Sequence, residues 1–118
     1  MRWNDGFGLC GMHIRDTMSR GGYVYILTNR KDGTLYIGVT SRPLDRIAEH
    51  RSGKGSRFAH RYNLHRLVYL ERHERVIDAI AREKAMKVWR RAWKIELIES
   101  VNPDWRDLWP ELAHLARE

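Results

Sequence analysis

The sequence predicts an α/β domain of the α+β type, in which helices flank a small three-stranded antiparallel sheet. Two short alternating segments, 22–29 and 34–39, are separated by a turn and predict a β-hairpin. A third apolar strand is predicted at 66–72, and the other periodic segments have helical spacing. Residues 1–20 lack any period and predict a flexible N-terminal arm ahead of a single domain at 21–118.

Composition favours a folded protein in a reducing compartment. Hydrophobic residues make up 42% of the chain, and five tryptophans add large apolar surfaces for a core. No apolar run approaches the roughly 20 residues that cross a bilayer, so no membrane partner is expected. The single cysteine, Cys10, excludes an internal disulfide and a cysteine-based metal site, which fits a cytoplasmic protein.

The chain is basic, with a net charge of +7, and its positive charge is concentrated in two blocks. Residues 42–66 carry seven basic against two acidic side chains, and residues 82–94 carry six against one. A solvated helical surface would account for one such block. Two blocks favour a polyanionic partner, and nucleic acid is the natural candidate.

The predicted hairpin carries two tyrosines whose side chains can share one opening. Its strands are joined by a turn-forming segment at 31–34, which contains an Asp-Gly pair. Strand alternation places Tyr25 and Tyr36 opposite the aliphatic side chains. Gly38, which lacks a side chain, would let backbone or a phosphate come close. Tyrosine favours strands generally, so ordinary strand positions are the alternative interpretation.

Residues 42–52 predict a helix that begins just after a Thr-Ser pair suited to capping it. Arg46 and His50 are four residues apart, so their side chains lie on one face of this helix, one turn from each other. Glu49 lies beside them, where it can pair with an arginine. An arginine–histidine pair is usually surface decoration, so its interpretation depends on the neighbouring motifs.

Residues 53–66 predict a basic, aromatic-bearing loop interrupted by glycines. Phe58 can stack on an unpaired base from this loop, or it can anchor the loop to the core. For Tyr62 we favour the anchoring role. Four polar side chains on or near the loop can reach phosphates: Arg42, Lys54, Ser56 and Arg57.

Residues 74–91 predict the longest helix, which follows the third strand. Glu83 lies four residues before Lys87, and an ordinary ion pair of about 0.3–0.5 kcal/mol is one interpretation. The other is a carboxylate ligand for a metal ion. The apolar stripe of the helix is predicted to consist of Ile77, Ile80, Ala81, Ala85 and Val88.

Two further helices are predicted at the C-terminal end of the chain. One covers about 91–100, and a short one follows the Asn-Pro pair that breaks it. Asn102 is open to two interpretations, lining a nucleic-acid site or holding a turn. Four tryptophans are predicted to lie in the core rather than to stack on bases: Trp89, Trp93, Trp105 and Trp109.

Together these motifs resemble the GIY-YIG nuclease domain, whose first two strands carry a Gly-Ile-Tyr-like and a Tyr-Ile-Gly triplet. The second triplet is literal here as Tyr36-Ile37-Gly38, and the first is degenerate as Tyr23-Val24-Tyr25. The segment 81–89, Ala-Arg-Glu-Lys-Ala-Met-Lys-Val-Trp, and the segment 102–108, Asn-Pro-Asp-Trp-Arg-Asp-Leu, are similar to those of small stand-alone members. The resemblance rests on the order and spacing of these motifs and covers residues 22 to about 109.

The resemblance implies a metal-dependent DNA endonuclease with Mg²⁺ or Mn²⁺ as its cofactor and no small organic cofactor. Tyr25 would take a proton from the attacking water with help from His50, and Tyr36 would orient that water. Arg46 would face the phosphate oxygens. The implied catalytic residues are Tyr25, Tyr36, Arg46, His50 and Glu83, of which Glu83 is also the metal ligand. The expected nucleic-acid contacts are Arg42, Lys54, Ser56, Arg57, Phe58, Lys87 and Asn102.

The sequence departs from the family pattern at two places. The first triplet lacks its Gly-Ile pair, and Val39 stands where some members have a lysine, so Arg42 or Lys54 would have to supply that contact. Because no separate recognition motif is found, we expect low sequence specificity, and the loop at 53–66 favours single-stranded or structured DNA. Two other functions fit the same residues: a nucleic-acid-binding module without catalysis, and a domain that binds a protein partner through its acidic C-terminal segment.

Overall fold

The computed structural model describes residues 21–116, so the predicted arm at 1–20 lies outside the described residues. The predicted fold class, a three-stranded antiparallel sheet with flanking helices, is confirmed. In chain order the elements are β1 (Gly22–Thr28), β2 (Leu35–Thr40), α1 (Pro43–Arg51), α2 (Arg57–Arg61), β3 (Arg66–His73), α3 (Val76–Lys87), α4 (Arg91–Val101) and α5 (Trp109–Ala116).

The first strand, β1, lies at the centre of the sheet, with β2 and β3 paired to it on either side. The turn between β1 and β2 is closed by the Gly33 N–H, which donates to the Arg30 carbonyl at 2.9 Å. Asp32 adopts a positive φ of 59° in this turn. Arg91 of α4 donates to the carbonyls of Asp32 and Gly33 at 2.7 and 2.6 Å, so the tip of the hairpin is fixed to α4.

Helices cover both faces of the sheet. On one face α1, α2 and α5 pack against Tyr25 and Leu27, and on the other α3 and α4 pack against Val24 and Ile26. The alternation predicted for β1 is therefore confirmed. Because both faces are covered, all seven residues of β1 are buried. None of the helices described is long and apolar enough to span a bilayer.

Two local predictions between β2 and β3 were wrong: the segment 53–66 is not all loop, and the Thr-Ser pair does not cap α1. The segment 53–66 contains the five-residue helix α2, whose Ser56 hydroxyl accepts a hydrogen bond from the Ala59 N–H at 3.3 Å. The N-cap of α1 is Arg42 rather than the preceding Thr-Ser pair, and no side chain caps that helix. Thr40 instead accepts from the Arg42 N–H at 3.0 Å, which closes the turn before α1.

The apolar stripe predicted for α3 was also wrong, because all five of its side chains are exposed. Ile77 is 61% exposed and Val88 is 85% exposed. The helix turns a different set of side chains to the sheet: Ala79, Glu83 and Met86. Ala79 packs so closely on Gly22 that a Cβ atom at position 22 would stand 2.7 Å from the Ala79 Cβ. Close packing of small residues thus decides which side of α3 faces the sheet, and the side with the larger aliphatic residues faces solvent.

A buried carboxylate joins β3 to α3. Glu71 is 1% exposed, and it accepts hydrogen bonds from Tyr69 Oη at 2.6 Å, from His73 Nε2 at 2.6 Å and from Arg82 Nε at 2.8 Å. Arg82 also lies over the ring of Trp89, 5.1 Å from its centroid. A buried carboxylate without partners is costly, so this network fixes the rotation of α3 about its axis. It thereby also fixes the position of Glu83, which follows Arg82 in the helix.

The tryptophans divide between core and surface. Trp105 is fully buried, and its Nε1–H donates to Glu99 Oε2 at 2.8 Å. Trp93 is 48% exposed, so its predicted place in the core was wrong. It packs edge-on against Trp89 at a centroid distance of 6.4 Å, on the outer side of α4.

Candidate active site

The hairpin register brings the two tyrosines together on the α1 side of the sheet. Tyr25 of β1 is paired with Gly38 of β2, and Tyr36 is paired with Leu27. The two phenol rings lie 6.3 Å apart at their centroids. Tyr25 is buried and Tyr36 is partly exposed, so the pair reaches from the core to the surface.

The space above Gly38 is filled by the ring of Tyr25. A Cβ atom at position 38 would stand 2.4 Å from both Cζ and Oη of Tyr25. The close approach predicted at this glycine is therefore made by a side chain of the site, where backbone or a phosphate was expected. The glycine of the Tyr-Ile-Gly triplet sets the position of the phenol.

His50 of α1 completes this aromatic cluster. Its Nε2 atom is 3.0 Å from the Tyr25 hydroxyl, and its ring lies 5.3 Å from that of Tyr36. The side chain is 1% exposed, and its Nδ1 atom has no hydrogen-bond partner among the residues described. Gly55 covers that nitrogen, because a Cβ at position 55 would lie 2.4 Å from it.

The protonation of this pair is set by burial. Burial and the nearby Arg46 guanidinium lower the pKa of His50 to about 4, so the ring is neutral at pH 7. Burial and the neighbouring Tyr36 raise the pKa of the Tyr25 hydroxyl well above its usual range, although hydrogen bonding from Arg46 opposes them. At neutral pH the site therefore contains a neutral phenol beside a neutral imidazole that can accept its proton.

Arg46 provides the positive charge next to this pair. Its Nη1 donates to Glu49 Oε1 at 2.9 Å, and its side chain is 35% exposed. Burial lowers the pKa of Arg46, but hydrogen bonds with Glu49 and Tyr25 outweigh it and raise the pKa above its ordinary value. A groove of about 610 Å³ opens beside Arg46 and is lined by Thr40, Arg42, Asp45, Arg46, Ala48, Glu49 and Ser52.

Glu83 lies on α3, on the other face of the sheet from the aromatic cluster. Its carboxylate is 10% exposed and accepts from Lys87 Nζ at 2.7 Å. The structure thus brings four predicted catalytic side chains into one cluster and places the fifth across the sheet. One feature connects the two sides, a cleft of about 250 Å³ at the outer edge of β2, lined by Leu35, Tyr36, Ile37, Phe58, Lys87 and Lys94. We call it the edge cleft.

The predicted nucleic-acid contacts are distributed unevenly around this site. Lys54 and Arg57 are exposed, and Arg42 is exposed in an ion pair with Asp45. Ser56 uses its hydroxyl to cap α2. Phe58 and Lys87 both line the edge cleft.

Asn102 is buried beside β3. Its side-chain amide donates to the carbonyls of Val68 at 3.1 Å and Arg106 at 2.9 Å, and its oxygen accepts from the Arg106 N–H at 3.0 Å. The side chain is 1% exposed. These contacts favour the turn role over nucleic-acid binding, since the amide groups are already engaged by backbone.

Lys94 is a member of the edge cleft that the sequence did not indicate. Its Nζ lies 3.4 Å from the Lys87 carbonyl oxygen, and it lines the cleft together with Phe58. The only available signal was its place in the basic block at 82–94. Nothing in the sequence distinguishes Lys94 from the other five basic residues of that block.

The donor chemistry fits a hydrated hard cation rather than a caged metal. Within residues 21–116, no cluster of three histidine, cysteine or acidic side chains is placed to hold a metal ion. Glu83 offers a single carboxylate, paired with Lys87, which lines the edge cleft. Mg²⁺ commonly binds through one or two carboxylates together with waters and substrate phosphates, and Glu83 suits that mode.

Comparison with known proteins identifies the family of this arrangement. Residues 21–96 match the GIY-YIG catalytic domain. The chain belongs to the GIY-YIG family. GIY-YIG domains are of the nuclease type, which implies DNA as the substrate and a divalent cation as the usual cofactor.

Small proteins of the same family are similar over most of their length. A UPF0213 protein of Pseudomonas aeruginosa is 39% identical over 75 residues, which cover 64% of this chain and 72% of that protein. A UPF0213 protein of Staphylococcus haemolyticus is 38% identical over 77 residues, 65% of this chain and 93% of the relative. One from Natronomonas pharaonis is 36% identical over 81 residues, 69% and 94% of the two chains. No solved structure matches this GIY-YIG protein significantly.

Proposed function

We propose that this GIY-YIG protein is a metal-dependent endonuclease that hydrolyses DNA phosphodiester bonds with low sequence specificity. The observation that carries the proposal is the buried contact between Tyr25 and His50, with Tyr36 and Arg46 beside it. Hydrolysis needs a group that accepts the proton of water and a cation that faces the phosphate. These four side chains supply both functions.

In the proposed mechanism, Tyr25 and His50 together accept the proton of the attacking water. A phenol with a raised pKa does not persist as a phenolate at neutral pH, so Tyr25 cannot act as a free base. When its hydroxyl donates to His50 Nε2, Tyr25 passes its own proton to the ring as it takes one from water. The products are a neutral phenol and an imidazolium, so no anion is left in the buried cluster.

The substrate itself makes this transfer more favourable. In the free protein, burial and the charge of Arg46 keep His50 neutral. A bound phosphate would place negative charge beside Arg46 and offset that repulsion, which raises the proton affinity of His50. Arg46 must first leave Glu49, after which its planar guanidinium can bind two phosphate oxygens. A divalent cation held by Glu83 would neutralise charge on the phosphate and on the leaving oxygen.

Low sequence specificity is proposed because the site offers charged groups and aromatic rings, and no separate element that would hydrogen-bond to base edges is found among the described residues. The described residues form one small sheet with its helices and carry no separate recognition domain. Exposed Lys54 and Arg57 would contact phosphates, which are the same in every sequence.

Plasmid nicking tests the proposal directly. Wild-type protein should nick supercoiled DNA with Mg²⁺ or Mn²⁺ and stop on addition of EDTA. Glu83→Gln should lower the rate by about 100-fold or more, because the carboxylate charge that binds the cation is removed. Glu96→Gln, which removes the same charge from an exposed position on α4, should leave the rate unchanged. Nicking by folded Glu83→Gln at the wild-type rate would overturn the proposed metal role.

Two alternative functions are distinguished by the same preparations. DNA binding that weakens steeply with salt, without nicking under any divalent cation, would favour a binding module without catalysis. The absence of salt-dependent DNA binding would favour a domain that binds a protein partner.

A further inference from the structure

Exposed aromatic side chains extend the cluster of the active site outward to the surface. The Phe58 ring lies 6.3 Å from that of Tyr36 at an interplanar angle of 27°, and the Tyr62 ring lies 4.9 Å from that of Phe58. Phe58 is 46% exposed and Tyr62 is 43% exposed. The anchoring role predicted for Tyr62 is therefore only partly realised. The row of rings from His50 to Tyr62 leaves ring surface open to solvent beside the candidate catalytic groups.

The edge cleft also has cationic lining residues. Lys87 and Lys94 line the same cleft as Tyr36 and Phe58. Lys87 is paired with Glu83, so a cation on that carboxylate would release the Lys87 ammonium toward the cleft. Lys94 Nζ lies near the Lys87 carbonyl and carries no carboxylate partner among the described ion pairs.

A cleft lined by both aromatic rings and two ammonium groups matches the two halves of a nucleotide, which are a flat base and an anionic phosphate. The cleft volume of about 250 Å³ is below the roughly 300–1,000 Å³ typical of sites for drug-sized ligands, so the cleft would hold no more than one nucleotide. Bases inside a duplex are stacked on their neighbours and present only their edges to a protein. A base lying on Phe58 must therefore be unpaired.

We propose that the edge cleft binds one unpaired nucleotide next to the scissile phosphate, with its base on Phe58 and its phosphate between Lys87 and Lys94. This inference rests on the proposed nuclease function and names its substrate class as single-stranded DNA or an unpaired segment of structured DNA. Tyr36 belongs to both the cleft and the catalytic cluster, so the bound nucleotide adjoins the bond to be cut.

A binding assay without cleavage tests the cleft. An oligonucleotide containing 2-aminopurine is titrated with protein in EDTA, where base stacking on a ring is read as a change in fluorescence. Phe58→Ala should weaken binding of the single strand by about tenfold and abolish the fluorescence change, because base–aromatic stacking is lost. Phe58→Trp should retain both, and binding of a matched duplex should be unaffected by either change.

Matched controls separate the cleft from general surface effects. Trp93→Ala removes an aromatic side chain of nearly the same exposure outside the cleft and should change nothing. Lys94→Gln should reduce the salt dependence of single-strand binding, whereas Lys84→Gln, an exposed lysine on α3 that does not line the cleft, should have a smaller effect.

The outcomes also separate this inference from the proposed function. Fluorescence that is unchanged by Phe58→Ala, or an equal loss of single-strand and duplex binding, would overturn the cleft assignment even if the plasmid is nicked. Loss of the fluorescence change in Phe58→Ala, with wild-type protein that nicks nothing, would support the cleft while the nuclease proposal fails.

Discussion

Glu83 and Tyr36 lie on opposite faces of the sheet, and the edge cleft joins them around β2. Tyr36 packs with the α1 side of the core, whereas Glu83 is carried by α3 on the other side. Lys87, which pairs with Glu83, shares the cleft with Tyr36. In the proposed mechanism, a phosphate that contacts both the carboxylate and the tyrosines would therefore lie beside the edge strand β2.

The pairing of Glu83 with Lys87 leads to a prediction about cation binding. The ammonium and a divalent cation compete for one carboxylate, so Lys87→Gln should tighten Mn²⁺ binding by about three- to fivefold, as expected for a pair of up to about 1 kcal/mol. Calorimetric titration of Mn²⁺ measures this. Lys84→Gln removes the same charge one turn away without touching the pair, and an equal effect of both variants would show that general charge rather than competition is responsible.

The packing of Tyr25 on Gly38 leads to a prediction about stability. Gly38→Ala should lower the free energy of unfolding by about 1–3 kcal/mol, because the new methyl group meets the phenol. Urea unfolding measures the change. In a Tyr25→Ala background the same substitution should cost clearly less, since the ring it meets is gone. An undiminished cost in that background would place the clash elsewhere.

Burial of His50 leads to a prediction about pH. Folded His50 has a pKa of about 4 against about 6.5 when unfolded, so the folded state binds its proton less tightly. The free energy of unfolding should therefore fall as the pH drops from about 6.5 to about 4 and change no further on this account below that range. His50→Gln should remove this part of the pH dependence in chemical unfolding measured across the window. Identical slopes for the two proteins would contradict the buried neutral imidazole.

The network around Glu71 leads to a prediction about the packing of α3. Arg82→Met should lower the free energy of unfolding by about 3 kcal/mol, because the buried carboxylate loses its cationic partner. Asp78→Asn, which breaks the exposed pair with Arg75, should change it by less than about 0.5 kcal/mol. Urea unfolding of both variants measures the difference, and equal effects would show that Glu71 does not depend on Arg82.

Much of the fold was predictable because the strands have short, clear periods. The alternation in β1 and the Asp-Gly turn specify the hairpin locally, and the structure follows both. The stripe of α3 was mispredicted because its exposed side carries larger aliphatic residues than its buried side. Contact between Ala79 and Gly22, far apart in sequence, decides the orientation, and no local pattern contains that information.

The candidate site was predictable where residues recur at fixed spacing and unpredictable where they meet through tertiary packing. Arg46 and His50 share a helix face by their spacing, and the hairpin register brings Tyr25 to Tyr36. The displacement of Glu83 to the opposite face and the entry of Lys94 depend on how α3 and α4 dock. The roles of these residues in catalysis stay predictions until the variants are measured.

The position of β2 at the margin of the sheet has a consequence for assembly. In the described part of the chain its outer side pairs with no other strand, and the same side forms the cleft. A foreign strand that extended the sheet there, from a peptide or another copy of the protein, would plug the cleft by backbone pairing alone. If the protein is the nuclease proposed above, sheet extension and turnover would be mutually exclusive, and a strand-mimicking peptide would inhibit it without contacting the proposed catalytic side chains.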